Sequence, residues 1–223
     1  IIAPQHDRLV GNNIIPILGG LNDLNRAKLD AYLPENYGSH AARPKILLLI
    51  GGDNSQFRFD QDCMNALIGW IKQQAGNYDF MVSASRRTDS KARDALHKIC
   101  DAQQHLFFDP VTMADQPNPY FKWLAMADHI IVSQDSVNMI SEALMSERPV
   151  YCYLLTRKAK KINKFDQFIA NLQRHNLLTL LTPQDLMTGD FNKVSAQKTI
   201  DISPLADQKH YILDRILDKM TAL

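Results

Sequence analysis

The run Asp135-Ser136-Val137-Asn138-Met139-Ile140-Ser141-Glu142-Ala143 puts a helix start directly after an apolar strand, with an acid one to two turns further on. A helix N-terminus offers unpaired amides and a partial positive charge of about half a unit, a combination that favours a diphosphate. The Glu142 carboxylate can then accept hydrogen bonds from both hydroxyls of a ribose. A serine cap followed by a solvated glutamate fits the same residues, and the segment alone does not choose between the two.

Other loops follow predicted strand ends. Gly51-Gly52-Asp53-Asn54 lacks side chains where a phosphate or sugar would approach the backbone, although glycines serve chain reversal as often. Ser85-Arg86-Arg87-Thr88 sets two guanidinium groups at a strand mouth, suited to bidentate phosphate recognition and equally to surface ion pairs with Asp53, Asp89 or Asp94. Pro4-Gln5-His6-Asp7-Arg8 joins a histidine to an aspartate, suitable for general acid or base work, though a polar loop accounts for it more simply. The basic run Arg157-Lys158-Ala159-Lys160-Lys161 reads as solvated surface.

The elements that must position these loops alternate between short apolar runs and amphipathic helices, the pattern of βαβ units and a parallel sheet. Strands are expected over Lys45 to Ile50, Asp79 to Ala84, His105 to Phe108, His129 to Ser133 and Val150 to Leu155. Asp60 is expected to cap a helix burying Met64, Leu67, Ile68 and Ile71, and Thr88 one burying Ala92, Leu96 and Ile99. Before them, Ile14 to Leu18 reads as a strand, Asp23 to Leu33 as a short helix and Pro34 to Pro44 as a linker. A terminal helix is expected to bury Leu205, Ile212, Leu213, Ile216 and Met220 on one face. In an open parallel sheet ligands bind outside the carboxyl ends of the strands, where the loops above fall.

Bulk properties exclude several classes. The 25 basic and 24 acidic residues leave a net charge of +1, so no whole-molecule field steers nucleic acid or an anionic membrane. Cys63, Cys100 and Cys152 are odd in number and show no CxxC spacing, which argues against a disulfide framework or a zinc site and for a reducing compartment. No apolar run approaches the roughly 18 to 20 residues of a membrane-spanning helix. The chain opens Ile1-Ile2-Ala3-Pro4 without an initiator Met, which suggests a fragment of a longer polypeptide. The first βα turn lacks GxGxxG, and GxxxxGK[ST], GxSxG and HExxH are all missing from the sequence, which leaves little support for dehydrogenase, P-loop, serine hydrolase or zincin readings.

Taken in order, PQHD at 4 to 7, GGDN at 51 to 54 with Phe57 and Phe59, SRRT at 85 to 88, NPYFKWLAMAD at 118 to 128, DSVNMISEA at 135 to 143 and RPVY at 148 to 151 resemble the mitochondrial fission protein family of plants, named for elongated mitochondria. They also resemble its bacterial relatives, often labelled nucleoside-diphosphate-sugar epimerases. The resemblance runs along nearly the whole chain and covers only the C-terminal part of the family's length. That family is similar in turn to the two-domain GT-B glycosyltransferases, whose C-terminal Rossmann-like domain holds a nucleotide sugar.

The resemblance implies an α/β, GT-B-like fold: the tail of an N-terminal, acceptor-side domain at residues 1–40, a nucleotide-sugar-binding Rossmann-like domain at 41–204 and a closing helix at 205–223. It further implies that the Ser136, Val137, Asn138 and Met139 amides grip the diphosphate beside Asp135, and that Glu142 grips the ribose. Gly51, Gly52, Asn54, Ser85, Arg86 and Arg87 are expected at the same crevice, with His6 and Asp7 as candidate catalytic residues. Many GT-B donor sites carry a glycine pair where Gln134-Asp135 stands here, so phosphate approach is expected to differ. The expected partner is a nucleoside-diphosphate sugar, acting as substrate, with no metal, no other cofactor and no nucleic acid. The implied activity is that of a glycosyltransferase-like protein, with a sugar-nucleotide epimerase or hydrolase and a non-catalytic adaptor that recruits a protein partner as the alternatives. The expected location is cytoplasmic, the plant members acting at the mitochondrial outer surface.

Overall fold

A computed structural model describes residues 1–35, 37, 43–158, 163–189 and 200–221. In chain order the elements are β1 (Ile2–Pro4), β2 (Ile15–Ile17), α1 (Arg26–Asp30), β3 (Lys45–Ile50), β4 (Phe57–Arg58), α2 (Gln61–Gln74), β5 (Asp79–Ala84), α3 (Ser90–Ala102) and β6 (Leu106–Phe108). They continue with α4 (Tyr120–Met126), β7 (His129–Ser133), α5 (Val137–Leu144), β8 (Val150–Tyr153), β9 (Thr156–Arg157), α6 (Lys164–Arg174), β10 (Thr179–Leu181), α7 (Pro183–Thr188) and α8 (Ser203–Thr221).

Six of these strands form one parallel sheet in the order β10-β8-β7-β3-β5-β6. Numbered from β3, that is the 3-2-1-4-5-6 order of the doubly wound Rossmann sheet read from the β6 edge. β3 explains why the sheet is buried on both faces. Leu47 and Leu49 enter one core cluster with Trp123, Ile140 and Phe168, while Ile46, Leu48 and Ile50 enter the other with Leu67, Trp70 and Leu96. A strand apolar at every position after Lys45 cannot leave either face in water, so helices cover both. α1, α4, α5 and α6 lie on the first face, and α2, α3 and α7 on the second.

The strands expected from the apolar runs are present, with β6 beginning at Leu106 and β8 ending at Tyr153. β10 is an additional edge strand paired in parallel with β8. The cap of α3 is Asp89, whose carboxylate accepts from the Lys91 amide, and not Thr88, which is buried one residue earlier. The expected helix over Asp23 to Leu33 is the shorter α1, capped by Asn25. Most of the expected linker falls outside the described residues.

The first strands stand apart from this sheet. β1 and β2 pair in parallel as a separate two-stranded sheet, and Ile15 and Ile17 of β2 bury against Ile212 of α8. α8 therefore buries Leu205 and Ile212 but exposes Leu213, Ile216 and Leu217, which splits the single apolar face expected for it. Met220 lies outside the residues whose side chains are described. Among the described residues no helix is long and apolar enough to cross a membrane.

Candidate functional site

The strand order reverses between β3 and β7, and in doubly wound sheets the crevice opens outside the carboxyl ends at that reversal. β3 leads into Gly51-Gly52 and β7 into Gln134-Asp135, so the two loops meet there. The Gly51 amide donates to Ser133 Oγ at 2.7 Å, and Ser133 Oγ in turn donates to Asp135 Oδ1 at 2.6 Å. The Gly52 amide donates to Asp135 Oδ2 at 3.1 Å, and Arg87 Nη2 to the same oxygen at 2.6 Å. Asn54 Nδ2 closes the ring on the Asp135 carbonyl at 3.2 Å.

The arginine loop joins through Thr88. Its hydroxyl donates toward the Ile50 and Gly51 carbonyls and accepts from the Ser85 amide at 2.9 Å. Of the expected site residues, the structure thus brings Gly51, Gly52, Asn54, Ser85, Arg87 and Asp135 into one network. The space beside the two glycines is taken by protein atoms. A β-carbon on Gly51 would meet the Asp135 carboxylate, and one on Gly52 the Arg87 carbonyl. The partner of Arg87 is Asp135, not Asp53, Asp89 or Asp94. Burial pushes the Asp135 carboxyl above its usual range, against the hydrogen bonds from Ser133 and Gly52 and the Arg87 charge.

Arg86 is exposed and enters no ion pair among the described residues. On its far side, Arg87 lines a cleft of about 370 Å³ between the first turns of α2 and α3, together with Asp53, Arg58, Asp60, Asp89 and Lys91. The basic run after β8 is partly tied down. Arg157 pairs with Asp166, Lys158 pairs with Asp53 at 3.0 Å, and residues 159–161 lie outside the described residues.

Beyond Asp135, Ser136 caps α5, accepting from the Met139 amide at 3.4 Å. The Val137 and Asn138 amides open the first turn without hydrogen-bond partners among the described residues, as helix starts do, and Asn138 is exposed. Glu142 follows Asn138 by one helical turn on the same face, about 6 Å along the axis. It is half-buried, and its Oε2 accepts the Tyr120 hydroxyl at 2.5 Å. A second glycine pair crosses this helix. The Gly20 amide donates to Ser141 Oγ at 2.8 Å, and Gly19, at φ 94°, sits where a side chain would meet Ser141 and Phe168.

His6 and Asp7 belong to a one-turn 3-10 helix laid on α6 and are not part of the Asp135 network. The His6 ring is buried edge-on against Phe168 at 5.2 Å, and its Nε2 lies 3.9 Å from Asp7, which also faces Lys164 at 3.3 Å. Burial first, and the Lys164 charge last, lower the His6 pKa, while Asp7 opposes them. Its imidazole is neutral at neutral pH, the form that accepts a proton.

Sequence reasoning missed Tyr120, Ser133, the inward role of Thr88, and Gly19-Gly20. The last pair carried a usable signal, since it follows an apolar strand as Gly51-Gly52 does.

The model of the Mitochondrial fission ELM1 family matches residues 1–211. The Rickettsia prowazekii protein RP120 is 31% identical over 151 residues, 67% of this chain and 42% of that protein. The Arabidopsis thaliana mitochondrial fission protein ELM1 is 27% identical over 143 residues, 63% of this chain and 33% of that protein. The matches thus span less than half the length of either relative. Among solved structures, a UDP-GlcNAc 2-epimerase from Neisseria meningitidis bound to UDP-GlcNAc superposes with a TM-score of 0.52 at 10% identity, covering 96% of this chain and 57% of that one. At that identity the likeness concerns the fold alone, which is GT-B-like. With its motifs in order and nearly its whole length matched, this chain belongs to the mitochondrial fission ELM1 family.

Proposed function

We propose that the chain is the nucleotide-sugar-binding part of a GT-B-type, glycosyltransferase-like protein. The observation that carries this reading is the first turn of α5 at the sheet's reversal point, its Val137 and Asn138 amides unpaired among the described residues, with the Glu142 carboxylate one turn behind it. Free amides and the helix dipole suit a diphosphate, and an acid at that spacing suits the adjoining ribose. That the Neisseria meningitidis epimerase of the same fold holds UDP-GlcNAc supports the choice of ligand class. In a transfer reaction the α5 amides and the uncommitted Arg86 would stabilise the departing diphosphate. His6 is the candidate base, placed on α6 and separate from the Asp135 network.

The alternative is an adaptor. It is favoured by the exposed Leu213, Ile216 and Leu217 on α8, which share one face at helical spacing, an apolar stripe of the kind that engages another protein. Thermal melting separates the two readings. A ligand at about 100 times its dissociation constant stabilises the native state by roughly 2.7 kcal/mol. A panel of uridine, guanosine, adenosine and cytidine sugar nucleotides, UDP-GlcNAc first, is expected to contain one that raises the melting temperature, with the rise lost in Glu142→Ala. A flat panel overturns the binding reading and leaves the adaptor.

A further inference from the structure

Tyr120 opens α4, on a different element from the helix that carries Glu142, and its hydroxyl is the donor that reaches that carboxylate. Its position is fixed at several points. The Tyr120 amide donates to the Asn118 side chain at 3.0 Å, its ring meets Phe121 edge-on at 5.3 Å, and the residue packs on the core cluster that contains Ile140 and Ala143 of α5. Burial, reinforced by the Glu142 charge, raises the phenol pKa far above its ordinary value, so the hydroxyl keeps its proton and donates at every physiological pH.

A half-buried glutamate on a helix face has three rotatable bonds and water within reach, so the fold itself does not need a tyrosine to hold it. The bond to Tyr120 does something else. It engages one carboxylate oxygen, Oε2, and so restricts the side chain of a residue that lies one turn behind the first turn of α5. Ordering a flexible side chain before the ligand arrives removes that entropy cost from binding. A carboxylate with Oε2 anchored and Oε1 without a hydrogen-bond partner among the described residues is arranged to accept from sugar hydroxyls, which a dideoxyribose lacks.

We propose that Tyr120 is a positioning residue that orients Glu142 to read the ribose hydroxyls, making the site selective for ribonucleoside diphosphates over their deoxy counterparts. This rests on the nucleotide-sugar reading above. Its signature is a change in sugar selectivity. A merely structural tyrosine would alter stability and leave that selectivity untouched.

The test titrates the 223-residue chain with UDP, GDP, ADP and CDP and with the 2′,3′-dideoxy form of each, by calorimetry. The wild type is expected to bind one diphosphate about tenfold more tightly than its dideoxy form, the scale of a charge-assisted hydrogen bond. Tyr120→Phe keeps the ring and its packing, so its melting temperature is expected to stay close to that of the wild type. It should lose most of the tenfold preference while retaining its affinity for the dideoxy form. In a Glu142→Ala background the same substitution should change nothing further, because the tyrosine acts through the glutamate. A Tyr120→Phe protein that keeps the full preference overturns the positioning role and leaves the binding reading intact. A wild type that binds a diphosphate without any preference overturns the role of Glu142 as well. A wild type that binds none of the four overturns the nucleotide reading and this inference with it.

Discussion

Arg87 and Asp135 lie 2.6 Å apart with very unequal surroundings, for the aspartate side chain is fully buried while the arginine is about half exposed. The carboxylate also takes the Gly52 amide and the Ser133 hydroxyl, so from a buried, fixed position it ties the β3 loop to the β7 loop. Asp135→Ala would strand both neutral donors out of water, at roughly 1–3 kcal/mol each. Urea denaturation is expected to report a loss of that size, and a loss below about 1 kcal/mol would mean that the network is dispensable.

Removing the other partner has a pH signature. Burial already holds the Asp135 pKa above its ordinary value, and Arg87→Ala would raise it further by deleting the favourable charge. A carboxyl whose pKa is raised by folding binds its proton more tightly in the native state. Its contribution is therefore greatest in acid and is lost as pH rises through the folded pKa. The difference in stability between wild type and Arg87→Ala is expected to be smaller near pH 4 than at pH 7. Equal differences at both values would place the Arg87 charge outside the carboxylate's field.

The glycines that precede this network carry their own prediction. A methyl group at Gly51 would land on the Asp135 side chain, whereas one at Gly52 would land on the Arg87 backbone carbonyl. A side chain can rotate away and a packed backbone cannot, so Gly52→Ala should be the more destabilising substitution. Paired denaturation curves check the order, and a reversal would show that the arginine loop yields more readily than the aspartate.

At the opposite end of the sheet, the buried His129 Nδ1 and His105 Nε2 have no hydrogen-bond partner among the described residues. Burial is the first cause that lowers both pKa values from 6.5. A histidine kept neutral by folding contributes fully above its unfolded pKa, and the contribution is lost as pH falls from there through the folded value. Stability is therefore expected to decline as pH drops below about 6.5. His129→Phe, which retains a ring beside Tyr151, should flatten that decline when midpoints are compared between pH 7 and pH 5.5. An unchanged slope would move the acid sensitivity to other groups.

Much of this fold was legible because its central strands are near-continuous apolar runs. After the charged Lys45 and Asp79 that open them, β3 is apolar throughout and β5 is broken only by Ser83. β10 was not legible: Leu177 to Leu181 is as compatible with a buried helix end as with a strand, and β8 decides the matter through pairing. Thr88 and Asp89 are adjacent residues that can both cap. The structure chooses Asp89 because the Thr88 hydroxyl is drawn inward to the Ile50 and Gly51 carbonyls, a contact between loops that local spacing does not encode. The same reason hid the Arg87 to Asp135 pair, whose members are 48 positions apart. Glu142 could be singled out from its place on a helix, but the tyrosine that holds it is 22 positions away on another helix. Local pattern thus located the loops, and long-range pairing decided which side chains in them are committed to one another.

That distinction separates the two arginines. Arg87 is committed to Asp135, while Arg86 is exposed and without an ion pair among the described residues. Arg86→Ala should leave the melting temperature unchanged, because no described residue pairs with its charge. Where a nucleoside diphosphate binds, the same substitution should weaken it by roughly 1.5–3 kcal/mol, the range of a hydrogen bond to a charged group. It should also flatten the dependence of affinity on salt, since an exposed cation acts through a screened field. Arg87→Ala should instead lower stability and affinity together. Titrations of both variants at low and high salt, alongside thermal melts, check this division. An Arg86→Ala protein that melts early and binds normally would reverse the two assignments.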